Sequence, residues 1–217
     1  MGVPTILQCV HYSGETFSGR RLYQSLCARK INEMQKSIFL QILSYFTAGI
    51  IVVTLFLNKS FFNSYFPHQI RVDFHFLFLS IAFSLILTST MYLVIKYDTL
   101  IIPGILSKLR SNIKELILKI TTIEVVYISF LAGFSEELLF RGFLQPLIGI
   151  AFTSILFGVA HFITLGYFIL ATAIGFFLGG AFNYSSNILV PIMVHSLYNI
   201  FAFKLLAKIF INEETTT

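Results

Sequence analysis

Two uncharged, apolar stretches, residues 38–57 and 74–95, constrain this chain more than anything else in it. Each holds about 20 residues, which as a helix reaches across a hydrocarbon core of roughly 30 Å. A backbone inside a bilayer must satisfy its own hydrogen bonds, so single stretches of this length cross as helices. The rest of the 217-residue chain agrees, being 56% hydrophobic and 12% charged, with a mean hydropathy of +0.83. These values exclude a soluble domain and predict an all-α fold, a polytopic membrane helical bundle.

Composition divides the chain into four parts. Residues 1–37 read as a cytoplasmic basic arm, in which Arg20, Arg21, Arg29, Lys30 and Lys36 alternate with apolar residues as in a short amphipathic surface helix. Residues 38–121 hold two transmembrane spans, joined by a polar link that contains Pro67 and His68. From Ile105 onward they add an interfacial amphipathic helix with Lys108, Arg110, Lys114 and Lys119 on its polar side. Residues 122–211 supply four more spans. The third turns through Pro146 and Gly149 into the fourth, the fifth carries Gly175, Gly179 and Gly180 for close helix approach, and the sixth has Pro191 in its first turn. Residues 212–217 read as a disordered tail. About six transmembrane helices are therefore expected.

Lys and Arg outside the spans divide twelve to two between the two sides, which predicts a multi-pass integral membrane protein with both termini cytoplasmic. The net charge of +5 follows from that anchoring to the lipid bilayer and makes no case for nucleic acid. No cleaved signal peptide or lipid-attachment signal is read at the ends. Cys9 and Cys27, in an arm facing a reducing compartment, are expected as ordinary thiols and not as a disulfide.

Against this apolar background stands Glu136-Glu137-Leu138-Leu139-Phe140-Arg141-Gly142. Ionisable groups at membrane depth cost a few kcal/mol each and mark functional sites by default. Helical spacing puts Glu137 and Arg141 on one face, where they can neutralise each other, and turns Glu136 about 100° away. Glu136 is then free to face His161 and His195. If the chain reverses near Ile148, Glu136 and His161 lie at one level, about 18 to 20 Å from the turn. His195 and Asn199 share one face of the sixth span and can enter the same pocket.

Any one of these residues alone is ordinary packing or an interhelical hydrogen bond. Together they suggest hydrolysis of an amide bond: Glu136 accepts a proton from a water that His161 orients, while His195 and Asn199 offer donors to the oxyanion. Glu136, His161 and His195 also form a donor set suited to Zn2+ with an open position, so a metal site stays open beside a metal-free one. No His-Glu-x-x-His motif is present, and Gly133-Phe134-Ser135 is followed by Glu136, so Ser135 reads as a packing residue. A non-catalytic scaffold that binds a partner is the competing class. A proton-coupled transporter ranks below both, for want of repeat symmetry.

Three motifs in order, Glu136-Glu137-x-x-x-Arg141, Phe157-x-x-x-His161 and His195-x-x-x-Asn199, resemble those of the CPBP family. That family comprises CAAX-type prenyl endopeptidases and bacteriocin-processing or immunity proteins, also called Abi. The resemblance covers residues 122–207. It implies a helical core with a conical cavity and an intramembrane protease in which Glu136 and His161 activate water and His195 and Asn199 hold the oxyanion. Glu137 and Arg141 match its structural second Glu and Arg, and Phe157 its aromatic beside the cavity. The implied partner is a peptide or membrane-protein substrate, and bacteriocin self-immunity is the implied alternative. The short Pro146 hairpin departs from the family in a loop that can shape the cavity mouth.

Overall fold

The computed structural model describes residues 17–63, 70–97 and 105–216. The readings of residues 1–16, of Pro67 and His68 and of the last residue fall outside the described residues. The elements are α1 (Phe17–Phe62), α2 (Phe74–Lys96), α3 (Ile105–Lys119), α4 (Thr122–Glu137), a π-helical segment (Leu138–Leu144), α5 (Gln145–Ala160), α6 (Leu165–Ser185) and α7 (Leu189–Thr216). No strand occurs among the described residues, and the all-α reading holds.

The chain separates into two compact units, Met1–Tyr45 and Phe46–Thr217. In the first, the arm is helical from Phe17 onward, where its residues belong to α1, a single helix of 46 residues. Cys27 is buried and disulfide-bonded, which corrects the expectation of an ordinary thiol. Sequence spacing carries no information about the Cα separation on which pairing depends.

Among the described residues, five helical runs are long and apolar enough to cross a membrane: Arg29–Phe62, Phe74–Lys96, Thr122–Ala160, Leu165–Ser185 and Leu189–Glu213. The expected third and fourth spans lie within one helical run, Thr122–Ala160, of 39 residues. A straight helix of that length would extend about 58 Å. Yet Glu136, in its first half, lies 3.3 Å from His161, just past its end. The run therefore folds back on itself. It does so at Gly149, whose φ of 78° and ψ of 168° lie in a region essentially confined to glycine. From the turn to Ala160 only about 11 helical residues remain, about 16 Å, too little to cross a bilayer. The single run thus holds both arms expected as the third and fourth spans.

The hairpin is held by close helix contacts. A Cβ on Gly175 of α6 would stand 3.1 Å from Cα of Ser154, and one on Gly179 would stand 2.7 Å from Oε1 of Gln145. Gly180 has open space around it, so of the three glycines expected to serve close approach, Gly175 and Gly179 do so. Gln145 donates to the Gly179 carbonyl at 3.1 Å and to Asn183 Oδ1 at 2.8 Å, fastening the start of α5 to α6. On the other side α4 packs against α7, where a Cβ on Gly133 would meet the Ser196 backbone nitrogen at 3.0 Å. Ser135 is buried and donates to the Leu131 carbonyl, in keeping with a packing role.

The apolar core joins Met91 of α2, Phe140 and Phe157 of the hairpin, Leu178 of α6, and Val194 and Phe210 of α7. Asn187 Nδ2 donates to the Arg71 carbonyl at 2.7 Å, and its Oδ1 caps α7 through Leu189 N at 3.2 Å. The links before α2 and before α7 therefore lie at one end of the bundle. The interfacial helix forms as α3 over the expected residues, with Ile117 buried in the core. On its exposed side Lys119 hydrogen-bonds Glu115 and holds that carboxyl below the usual carboxylate range.

Candidate active site

The charged stretch sits where α4 gives way to the π-helical segment. A π turn carries an extra residue and recurs at functional sites because it re-aims the side chains that follow it. Here Glu137 and Arg141 are both fully buried, with Glu137 Oε2 3.1 Å from Arg141 Nε. The expected pairing of these two is present.

The guanidinium is held on further sides. Its Nη2 donates to the Gly175 carbonyl at 2.8 Å, and its central carbon lies 4.9 Å from the centre of the Phe157 ring. A cation on an aromatic face in a desolvated site gains up to about 2 kcal/mol. Gly175 serves twice, since its missing side chain lets α6 reach α5 and its carbonyl takes up Arg141.

Glu136 reaches only one of the two histidines assigned to it. Its Oε2 lies 3.3 Å from His161 Nε2. His161 Nδ1 donates to the Phe157 carbonyl at 2.8 Å, which fixes the ring and turns Nε2 towards Glu136. His195 is instead taken by Glu137, with Nδ1 2.8 Å from Glu137 Oε1. The expectation that Glu136 faces both histidines is thereby corrected. The physical reason is that Glu137 has two oxygens, and Arg141 occupies only one.

Two tiers result. Glu137, Arg141 and His195 make a buried lower tier, with side-chain exposures of 0%, 0% and 5%. Glu136 and His161 lie above it, at 23% and 28%, and these two can meet water and a substrate. Phe157 joins the tiers, stacked on His161 at 4.3 Å between ring centres and edge-on to His195 at 5.8 Å. Asn199 follows one turn after His195 on the same face of α7 and is half-buried.

Four polar residues from three parts of the chain are thus brought together as two carboxylate–imidazole pairs. No group of three His, Cys, Asp or Glu among the described residues stands where it could hold one metal ion. His195 is drawn away from Glu136 by Glu137, so the set Glu136, His161 and His195 does not fit Zn2+ in this arrangement. Three features were outside the reach of sequence reasoning: the bond from Glu137 to His195, the anchoring of His161 by Phe157, and the π turn. Each depends on contacts between helices or on local rise, and no spacing rule reports them.

Residues 119–201 match the family described as type II CAAX prenyl endopeptidase Rce1-like. That stretch contains all three motifs, and the resemblance they carry is borne out over it. Over 85 residues the chain is 36% identical to the uncharacterized protein YpbD of Bacillus subtilis (strain 168). The match takes in 38% of this chain and 45% of that protein, so the chain spans less than half the length of this relative. No solved structure matches the chain.

Proposed function

Taking residues 119–201 as the core of a CAAX-type membrane protease, we propose that this chain is an intramembrane endopeptidase that hydrolyses an amide bond with an activated water. The observation that carries the reading is the partly exposed Glu136–His161 pair, seated above a buried tier in which Glu137, and not Glu136, meets Arg141 and His195. Glu136 Oε2 faces His161 Nε2 at 3.3 Å, and the partly exposed side chain can meet a water beside that contact.

In this mechanism Glu136 takes one proton from the water, His161 orients it, and the hydroxide oxygen bonds to the scissile carbonyl carbon. The carbonyl π electrons move to oxygen, and His195 and Asn199 stabilise that oxyanion. His195 keeps its Nδ1–H in the hydrogen bond to Glu137, so its role as donor to the oxyanion falls to Nε2–H and uses the imidazolium form, with Glu137 as counter-charge. Collapse of the tetrahedral intermediate breaks the C–N bond, and the proton held by the Glu136–His161 pair passes to the leaving amine. Positioned acid–base groups of this kind contribute typically about 10²- to 10⁴-fold in rate.

Substrates on this reading are peptides or the C-terminal parts of lipidated or membrane-associated proteins. The test is cleavage of a fluorogenic peptide panel, prenylated and unmodified, by purified protein in detergent, with Glu136→Gln alongside. Cleavage of at least one member by the wild type, lost in the variant, supports the assignment. Equal cleavage by both removes Glu136 from the chemistry, and no cleavage of any member by folded protein favours the scaffold or immunity reading.

A further inference from the structure

At the other end of the bundle from α3, a cavity of about 160 Å³ opens between the start of α2 and the start of α7. Its walls are apolar, made by Phe74, Leu77, Val190 and Met193, and its lining also includes Arg71 and Asp73. It shares no lining residue with the site described above.

Three observations bear on what it can hold. The first is level: Arg71 and Asp73 directly precede one span, and Leu189 opens another, so the cavity lies where hydrocarbon gives way to headgroups. The second is that the rim is fixed. The Arg71 backbone is clamped by Asn187, its guanidinium reaches the Ser185 carbonyl at 3.5 Å and lies 5.6 Å from the Phe76 ring centre, and Asp73 Oδ1 caps α2 through His75 N at 2.8 Å. Arg71 therefore keeps most of its five donors, and Asp73 keeps a second oxygen.

The third observation is charge. One cation and one anion stand two residues apart just before α2, and both line this cavity. A purely anionic headgroup would meet Asp73, and a quaternary amine would offer that carboxylate no N–H. A headgroup with a phosphate and a primary ammonium satisfies both.

We propose that this cavity seats a zwitterionic phospholipid bearing a primary amine, with its phosphate on Arg71, its ammonium on Asp73 and the start of an acyl chain against Phe74, Leu77, Val190 and Met193. The bilayer supplies the molecule, and the cavity fixes one copy of it between α2 and α7.

The experiment is native mass spectrometry with a parallel thermal shift on the whole purified chain in detergent. The added probes are phosphatidylethanolamine, phosphatidylglycerol, phosphatidylcholine and soluble glycerophosphoethanolamine. Phosphatidylethanolamine is expected to leave a one-to-one adduct and to raise Tm more than the other three. Arg71→Gln keeps the backbone clamp and Asp73→Asn keeps the cap, and each is expected to weaken that adduct about tenfold or more, the loss of a charge-assisted hydrogen bond. Met193→Trp, which fills the cavity without touching a charge, is expected to abolish it. Equal or greater binding of phosphatidylglycerol or phosphatidylcholine overturns the proposal, as does an unchanged adduct in the two charge variants. An equal shift from the soluble headgroup shows a site for a small solute and overturns it too.

Discussion

Replacing Glu137 by Gln removes the negative charge on which two buried partners depend. Arg141 is fully buried beside it at 3.1 Å, and His195 donates to its other oxygen at 2.8 Å. Stripping one member from a buried ion pair typically costs about 3 to 5 kcal/mol, because the partner stays desolvated and uncompensated. The cost of a lone Arg at the centre of a membrane helix, about 2.5 to 3.5 kcal/mol on insertion scales, gives the same size. Glu137→Gln is therefore expected to destabilise the bundle by about 3 kcal/mol, roughly a hundredfold in the folding equilibrium.

The double variant Glu137→Gln/Arg141→Met removes both charges and fills the space of the guanidinium stem. It is expected to recover most of that stability, with a coupling of about 2 kcal/mol or more between the two positions. Activity is expected to stay low in the double variant, since His195 still lacks the carboxylate that fixes its ring. The assay is reversible unfolding in mixed micelles, with peptide cleavage measured on the same samples. Additive losses of stability, or activity restored with the double change, would refute the two-tier account.

Other consequences are simpler to state. Gly149→Ala puts a Cβ into open space but forces a φ of 78°, so a loss of about 1 to 3 kcal/mol in thermal unfolding is expected from the backbone alone, with reduced cleavage as Glu136 and His161 part. Gly175→Ala drives a Cβ to 3.1 Å from the Ser154 backbone, and about 1 to 3 kcal/mol of overpacking is expected to separate α5 from α6 and to lower Tm. Reporter domains fused to either terminus are expected to be active on the cytoplasmic side, and opposite signals from the two ends would contradict the orientation read from Lys and Arg.

The spans were legible because a bilayer leaves a chain few choices: uncharged stretches of about 20 residues must be helices. The reversal at Gly149 was legible for a related reason, since Pro146 and Gly149 interrupt an apolar run that is too long for one crossing. That reversal also put Glu136 and His161 at one level, and they meet. The shortness of the second arm was not legible, because nothing in residues 150–160 is less apolar than in a longer span. The division of labour between the two carboxylates was only half legible. Spacing along one helix pairs Glu137 with Arg141, but the choice of His195 between Glu136 and Glu137 is made by the packing of α7 on α4. The bond at Cys27 lay beyond reading for the same reason, because it depends on distance in space.

The most direct test of the central claim is the cleavage rate of a responsive peptide by wild type and Glu136→Gln, both shown to be folded, each with and without a strong chelator. The account predicts a loss of about 10²-fold or more in the variant and an unchanged wild-type rate in chelator. A variant as fast as the wild type, or a wild type silenced by chelator and restored by added Zn2+, would contradict it.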